Sequence, residues 1–143
     1  MKPSLLLLAT FVSLIGCAQI TPQTSDEPLE NTYWKLTSLG NVPVSAVANQ
    51  REAHFILHPA DLRVSGSGGC NRFTGAYELA GGRLTFGNRM ASTMMACPET
   101  METERKFLAA LQQVRSARVT RNLLELLDAS GSVVAQFEAV HLK

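Results

Sequence analysis

From Asn31 onward the apolar residues of the chain fall in short alternating runs separated by turn formers. In Asn31 to Leu39, Trp34 and Leu36 share one face while Lys35 and Thr37 share the other, which predicts a half-buried strand. Gly40-Asn41 ends it, and Val42-Pro43-Val44 reads as a short edge piece because Pro43 has no N–H to give to a ladder. Ser45 to Gln50 reads as loop. Arg51 to His58 predicts a second strand with Ala53, Phe55 and Leu57 pointing one way, followed by a turn at His58-Pro59-Ala60-Asp61. Leu62 to Ser65 predicts a third, with Leu62 and Val64 inward. Phe73 to Leu79 and Arg83 to Phe86 predict a hairpin about Gly81-Gly82, and Ala91 to Ala96 predicts a further strand.

The period then changes. Phe107, Leu108, Leu111 and Val114 recur at the spacing of one buried helical stripe, predicting a helix over Glu99 to Val114. Pro98 is expected at its first position, where a missing N–H costs nothing. Glu99, Glu102 and Glu104 place negative charge near the helix start, where the dipole favours it. Three more strands follow at Arg118 to Thr120, Leu123 to Leu127 and Val133 to Val140, turned by Arg121-Asn122 and Ala129-Ser130-Gly131. About seven or eight strands and one amphipathic helix predict an α+β fold. The expected form is a strongly bent, mainly antiparallel sheet, a half-open barrel packed on that helix, which has no other surface against which to bury its stripe.

Composition adds destination. At 143 residues the chain suits one modest domain, and 13 basic against 12 acidic side chains with no Lys/Arg block give no support for a nucleic-acid partner. Lys2 is followed by an apolar run, Leu5 to Ile15, broken only by Thr10 and Ser13 and shorter than the roughly 20 residues that span a bilayer. This pattern predicts a secretory leader. Leu14-Ile15-Gly16-Cys17 at its end resembles the bacterial lipobox, which implies a signal peptide over residues 1–16 and a lipidated Cys17. Ala18 follows where an Asp would resemble inner-membrane retention, so the expected location is the outer membrane, facing the periplasm. Residues 17–30, polar and carrying two prolines after the lipidated Cys, read as a flexible tether, and residues 31–143 as the domain. With Cys17 carrying lipid, Cys70 and Cys97 remain as an even pair, for which an oxidising compartment favours a disulfide; two buried free thiols are the alternative.

Candidate chemistry is sparse. His54 and His58 sit on a predicted strand, about 13 Å apart, too far for one ion. Met90, Met94, Met95 and Met101 crowd around Cys97 in the sequence, and soft sulfur ligands suit Cu(I), but Met is also a common core filler. Gly66-Ser67-Gly68-Gly69-Cys70-Asn71-Arg72 matches neither the P-loop nor the dinucleotide fingerprint and reads as a tight bend where another backbone passes close. Arg72 reads as a surface pair or carbonyl cap. No serine lies in a nucleophile elbow and no His stands near a Ser or Cys in a recognisable motif. No enzyme, cofactor or metal is expected.

Gly69-Cys70-Asn71-Arg72-Phe73-Thr74-Gly75-Ala76-Tyr77, then Leu84-Thr85-Phe86, then Ser92-Thr93-Met94-Met95-Ala96-Cys97-Pro98, then Glu104 to Leu111, together resemble the META domain family of HslJ-like bacterial envelope lipoproteins. Trp34-Lys35-Leu36 is similar to the family's opening strand. The family motif falls on Gly69, Cys70, Asn71, Phe73, Gly75, Tyr77, Thr93, Met95, Ala96 and Cys97; Met94 departs from it. The resemblance implies a small α+β fold and a non-enzymatic envelope protein linked to stress or antibiotic tolerance, acting through an unidentified envelope protein. Two other readings stand beside it: a module for lipids or apolar ligands, and an inhibitor of a secreted hydrolase such as lysozyme.

Overall fold

Alternation along β1 (Tyr33–Leu39) buries Trp34, Leu36 and Ser38 and leaves the residues between them partly exposed. The same rule builds the strands that follow. The computed structural model describes residues 25–141; the leader, the lipobox Leu14-Ile15-Gly16-Cys17 and most of the expected tether lie outside the described residues. After β1 come β2 (Val42–Pro43), β3 (His54–His58), β4 (Arg63–Ser67), β5 (Arg72–Ala80), β6 (Arg83–Phe86), β7 (Ala91–Ser92), α1 (Met101–Gln113), β8 (Ser116–Thr120), β9 (Leu123–Leu127) and β10 (Val133–Val140).

Among the described residues every strand pairing is antiparallel. Neighbours run β3-β4-β5-β6 on one side and β8-β9-β10-β1 on the other, and they close on themselves as an eight-stranded barrel with β2 and β7 as additions. The fold is therefore α+β and barrel-like, with the sheet bent all the way round. Its two meanders meet at thin seams. Between β1 and β3 only Trp34 with Phe55 and Lys35 with His54 are paired. Between β6 and β8 there is a single pair, Arg83 with Ser116.

Aromatic side chains fill the interior. Phe55 of β3 meets Phe137 of β10 edge to face at 4.9 Å, and both are fully buried. The helix adds Phe107, which packs edge-on against Phe73 of β5 at 5.7 Å and tilted against Phe137 at 5.8 Å. One helical side chain thus touches both meanders. Leu111 and Val114 are also fully buried, as the stripe requires. Gly81 and Gly82 turn the β5–β6 hairpin at φ 58° and 79°, both positive as a type I′ turn demands.

Local departures from the pattern have physical causes. Leu62 does not point inward: it adopts φ 53° in the turn before β4 and is half exposed, while Val64 is buried. The helix starts at Met101 and not beside Pro98; Cys97 O accepts N–H bonds from Thr100 and Met101 at 3.0 Å each, so a turn intervenes. Thr100 caps the helix without a side-chain bond. Ladder pairing from Ala91 stops at Ser92: Thr93 N still donates to Arg72 O of β5 at 3.1 Å, but the Met95 backbone bonds to the Asn71 side chain. The packed domain also begins before Asn31. Glu27 N donates to Arg121 O at 2.7 Å, Asp26 Oδ1 accepts from Arg121 N at 2.6 Å, and Trp34 Nε1 donates to Leu29 O at 2.9 Å.

Candidate functional site

Three segments far apart in sequence converge beside the start of α1: the β4–β5 bend at Gly68 to Asn71, the irregular stretch Thr93 to Cys97, and Glu104 on the helix. Asn71 is at the centre, with 4% of its surface exposed. Its Oδ1 accepts from Thr93 Oγ1 at 2.8 Å and from Met95 N at 2.7 Å. Its Nδ2 donates to Met95 O at 3.1 Å and to Glu104 Oε1 at 2.8 Å. A carboxamide offers two donors and two acceptor lone pairs, and all four are used. Asn71 therefore stands in for the missing ladder partner of Met95, which is why β7 ends where it does.

Glu104 completes the bend. Its Oε2 accepts from Asn71 N at 2.6 Å and Cys70 N at 3.3 Å. The contact leaves no room for a side chain opposite: a Cβ on Gly68 would lie 2.3 Å from Glu104 Cγ. Gly69, at φ 112°, supplies the left-handed step. A disulfide joins Cys70 to Cys97 with Cα atoms 5.8 Å apart, so the same two segments are tied covalently as well.

The other motif residues are placed as follows. Phe73 is core. A Cβ on Gly75 would lie 3.1 Å from Met90 Cγ. Tyr77 is buried and its hydroxyl bonds to Glu30 Oε1; burial first, and the Glu30 carboxylate second, hold its phenol well above the ordinary value. Ala96 is exposed, and so are the side chains of Met94, Met95 and Met101. Cys97 sulfur is committed to the disulfide and is no longer a thiolate for the sulfur cluster considered above. Sequence reasoning missed the role of Glu104, which it assigned to the helix dipole. The available signal was its spacing: Glu104 lies three residues before Phe107 and seven before Leu111, a carboxylate on the stripe that should be apolar.

A separate open groove of about 570 Å³ lies over β3, β4 and β5, walled by β7 and Arg51. Cross-strand register puts His54, Ser67 and Arg72 in one row, and Ser65 and Thr74 two rows along on the same face. His54 stacks on Tyr33 with ring centres 4.2 Å apart. Its imidazole is held below the ordinary value, chiefly by burial and in part by the nearby Arg51 charge.

The META domain family model matches residues 27–141, taking in all of the closed barrel and α1. The chain is 30% identical to Heat shock protein HslJ of Escherichia coli strain K12 over 135 residues, 90% of this chain and 91% of that one. Two solved structures, both determined by NMR, are similar. One, of a protein from Burkholderia xenovorans, has a TM-score of 0.62 at 26% identity, covering 80% of this chain and 85% of that one. The other has a TM-score of 0.59 at 27% identity, covering 77% and 90%. With the Gly-Cys-Asn bend, the Met-Ala-Cys stretch and the helical carboxylate locked together in one bonded unit, this chain belongs to the META domain family.

Proposed function

We propose that this chain is a lipid-anchored protein of the bacterial cell envelope, non-enzymatic, acting through protein contacts in stress or antibiotic tolerance. Its anchor is Cys17, and its place is the outer membrane facing the periplasm. The observation that carries the reading is the Cys70–Cys97 bond: it fits an oxidising compartment and leaves Cys17, at the lipobox position, as the one cysteine outside the pair. The relative's designation as a heat shock protein supports the link to stress. A binding or catalytic role for the motif draws no support from its geometry, because Asn71, Thr93 and Glu104 are spent on internal bonds.

The two competing readings are less well served. An apolar-ligand module needs room beside Phe107 and Leu111, and both are fully buried. A hydrolase inhibitor presenting Gly68 to Arg72 needs that bend to protrude, whereas Gly68 to Asn71 are buried. Metabolic labelling with a radioactive fatty acid tests the anchor. The full chain should be labelled and fractionate with the outer membrane, and Cys17→Ser should be unlabelled. Labelling that persists in Cys17→Ser removes the lipobox and the proposed location with it.

A further inference from the structure

The groove over β3, β4 and β5 carries unspent cationic and hydroxyl donors on one face. Among the described residues, the Arg51 and Arg72 guanidiniums make no ion pair or side-chain hydrogen bond, although both line the groove. Glu52, next in sequence to Arg51, is already taken by Lys35 at 3.8 Å and by the Tyr33 hydroxyl at 3.0 Å. Among the described residues no carboxylate lines the groove. Ser67 is 1% exposed; its Oγ accepts from Gly69 N at 3.2 Å, which leaves its proton to give. Thr74 Oγ1 accepts from Arg63 Nη2 at 2.9 Å and likewise keeps its proton.

Two cations and two hydroxyl donors on a common face call for a ligand with several acceptor oxygens and negative charge. A guanidinium fork matches such oxygens two at a time. The volume, about 570 Å³, exceeds that of a bare ion and falls in the range of small-molecule sites. Ala91 supplies an apolar side chain to the lining, and at Gly66 the wall is bare backbone, while the Phe73 ring is buried in the core behind it. That backbone is bare for a reason: a Cβ on Gly66 would lie 2.1 Å from His54 O and 2.8 Å from the Phe73 ring.

We propose that this groove binds a phosphate ester, its oxyanion held by Arg51 and Arg72 and its organic part lying against Ala91. Two sources present that chemistry, a soluble phosphate monoester and the headgroup of an anionic phospholipid. The site does not depend on how the chain is anchored.

The test is amide NMR on the full chain in nonionic detergent, titrated with phenyl phosphate. Saturable shifts are expected at Ser67, Arg72 and Thr74 and along Ala91 to Thr93, with none from phenol. Arg51→Gln and Arg72→Gln should each weaken binding about tenfold, as expected for loss of a charge-assisted contact. Both positions are exposed, and unchanged melting curves verify that the variants fold. A parallel arm adds phosphatidylglycerol or phosphatidylcholine to the micelles. Saturation by phenyl phosphate alone assigns a soluble ester, and saturation by phosphatidylglycerol alone assigns a lipid headgroup. Absence of saturable shifts with both, shifts confined to another face, or undiminished binding by the double arginine variant each overturn the proposal.

Discussion

Replacing Asn71 by Ala removes four hydrogen bonds at once, at 2.7, 2.8, 2.8 and 3.1 Å. At about 1 kcal/mol net for each bond, the ceiling is about 4 kcal/mol. Thr93 and Met95 are exposed, so water recovers part of what they lose. The Glu104 carboxylate keeps its two backbone donors. The expected loss is therefore about 2–3 kcal/mol, or about 10 °C in Tm for a domain of this size. Urea denaturation followed by fluorescence reads it directly, because Trp34 is the single tryptophan and is fully buried. The disulfide should be kept intact, since it holds the same two segments. Asn71→Asp sharpens the test. It retains both acceptor contacts but sets a second carboxylate where an amide nitrogen now stands 2.8 Å from Glu104 Oε1. Repulsion raises the pKa of the introduced group above its unfolded value near 4, so the stability lost at neutral pH returns as pH falls through that raised value. A loss below about 0.5 kcal/mol in Asn71→Ala, the size of an ordinary surface change, would refute the view that this carboxamide holds the Met95 segment in place.

Other perturbations follow from the same geometry. Reduction of Cys70–Cys97, which are 27 residues apart, should cost about 3.5 kcal/mol on the chain-entropy model, measured as the shift in urea midpoint with and without reductant. Gly66→Ala should lower Tm by far more than Gly81→Ala, because its Cβ meets the His54 carbonyl while Gly81 faces open space and loses only the favourable positive φ. His54 has a folded-state pKa below its unfolded value, so the unfolded chain takes up the proton first and stability should fall as pH drops below about 6.5. His54→Gln should flatten that slope in melting curves collected from neutral to mildly acidic pH. Tyr77 and Tyr33 are shifted the other way, so their contribution is present below pH 10 and should be lost above it, visible as alkaline unfolding.

Strand and helix periods made most of the fold readable in the sequence. The spans of β6, β9 and β10 follow from alternation and their turns alone, and the stripe at Phe107, Leu111 and Val114 is buried as its spacing requires. Closure of the barrel was less accessible. It rests on β1 pairing with β10, a contact between chain ends that no local pattern encodes. The stretch after Ser92 looked like strand because its residues favour strands. Thr93 N still donates to Arg72 O at 3.1 Å, but the Met95 backbone bonds go to the Asn71 side chain, and tertiary context overrides propensity there. The bend at Gly68 was legible as a close approach, but its partner, Glu104, was not, because a helical carboxylate has an adequate local explanation. Asp26 to Glu30 were assigned by composition, which carries no information about the Arg121 and Tyr77 contacts that hold them.

The seams of the barrel bear on the order in which the chain can assemble. β3 to β6 form from successive hairpins and are complete once residue 86 is available. β1 is made earlier, yet its long partner is β10, with Tyr33 opposite Val140. Until nearly the whole chain has emerged, the edge of β1 that β10 will cover offers unpaired N–H and C=O groups beside Trp34 and Leu36. The interval between the arrival of β1 and the arrival of β10 in the compartment where the chain folds thus leaves that edge open to aggregation, and it ends only when the last strand arrives.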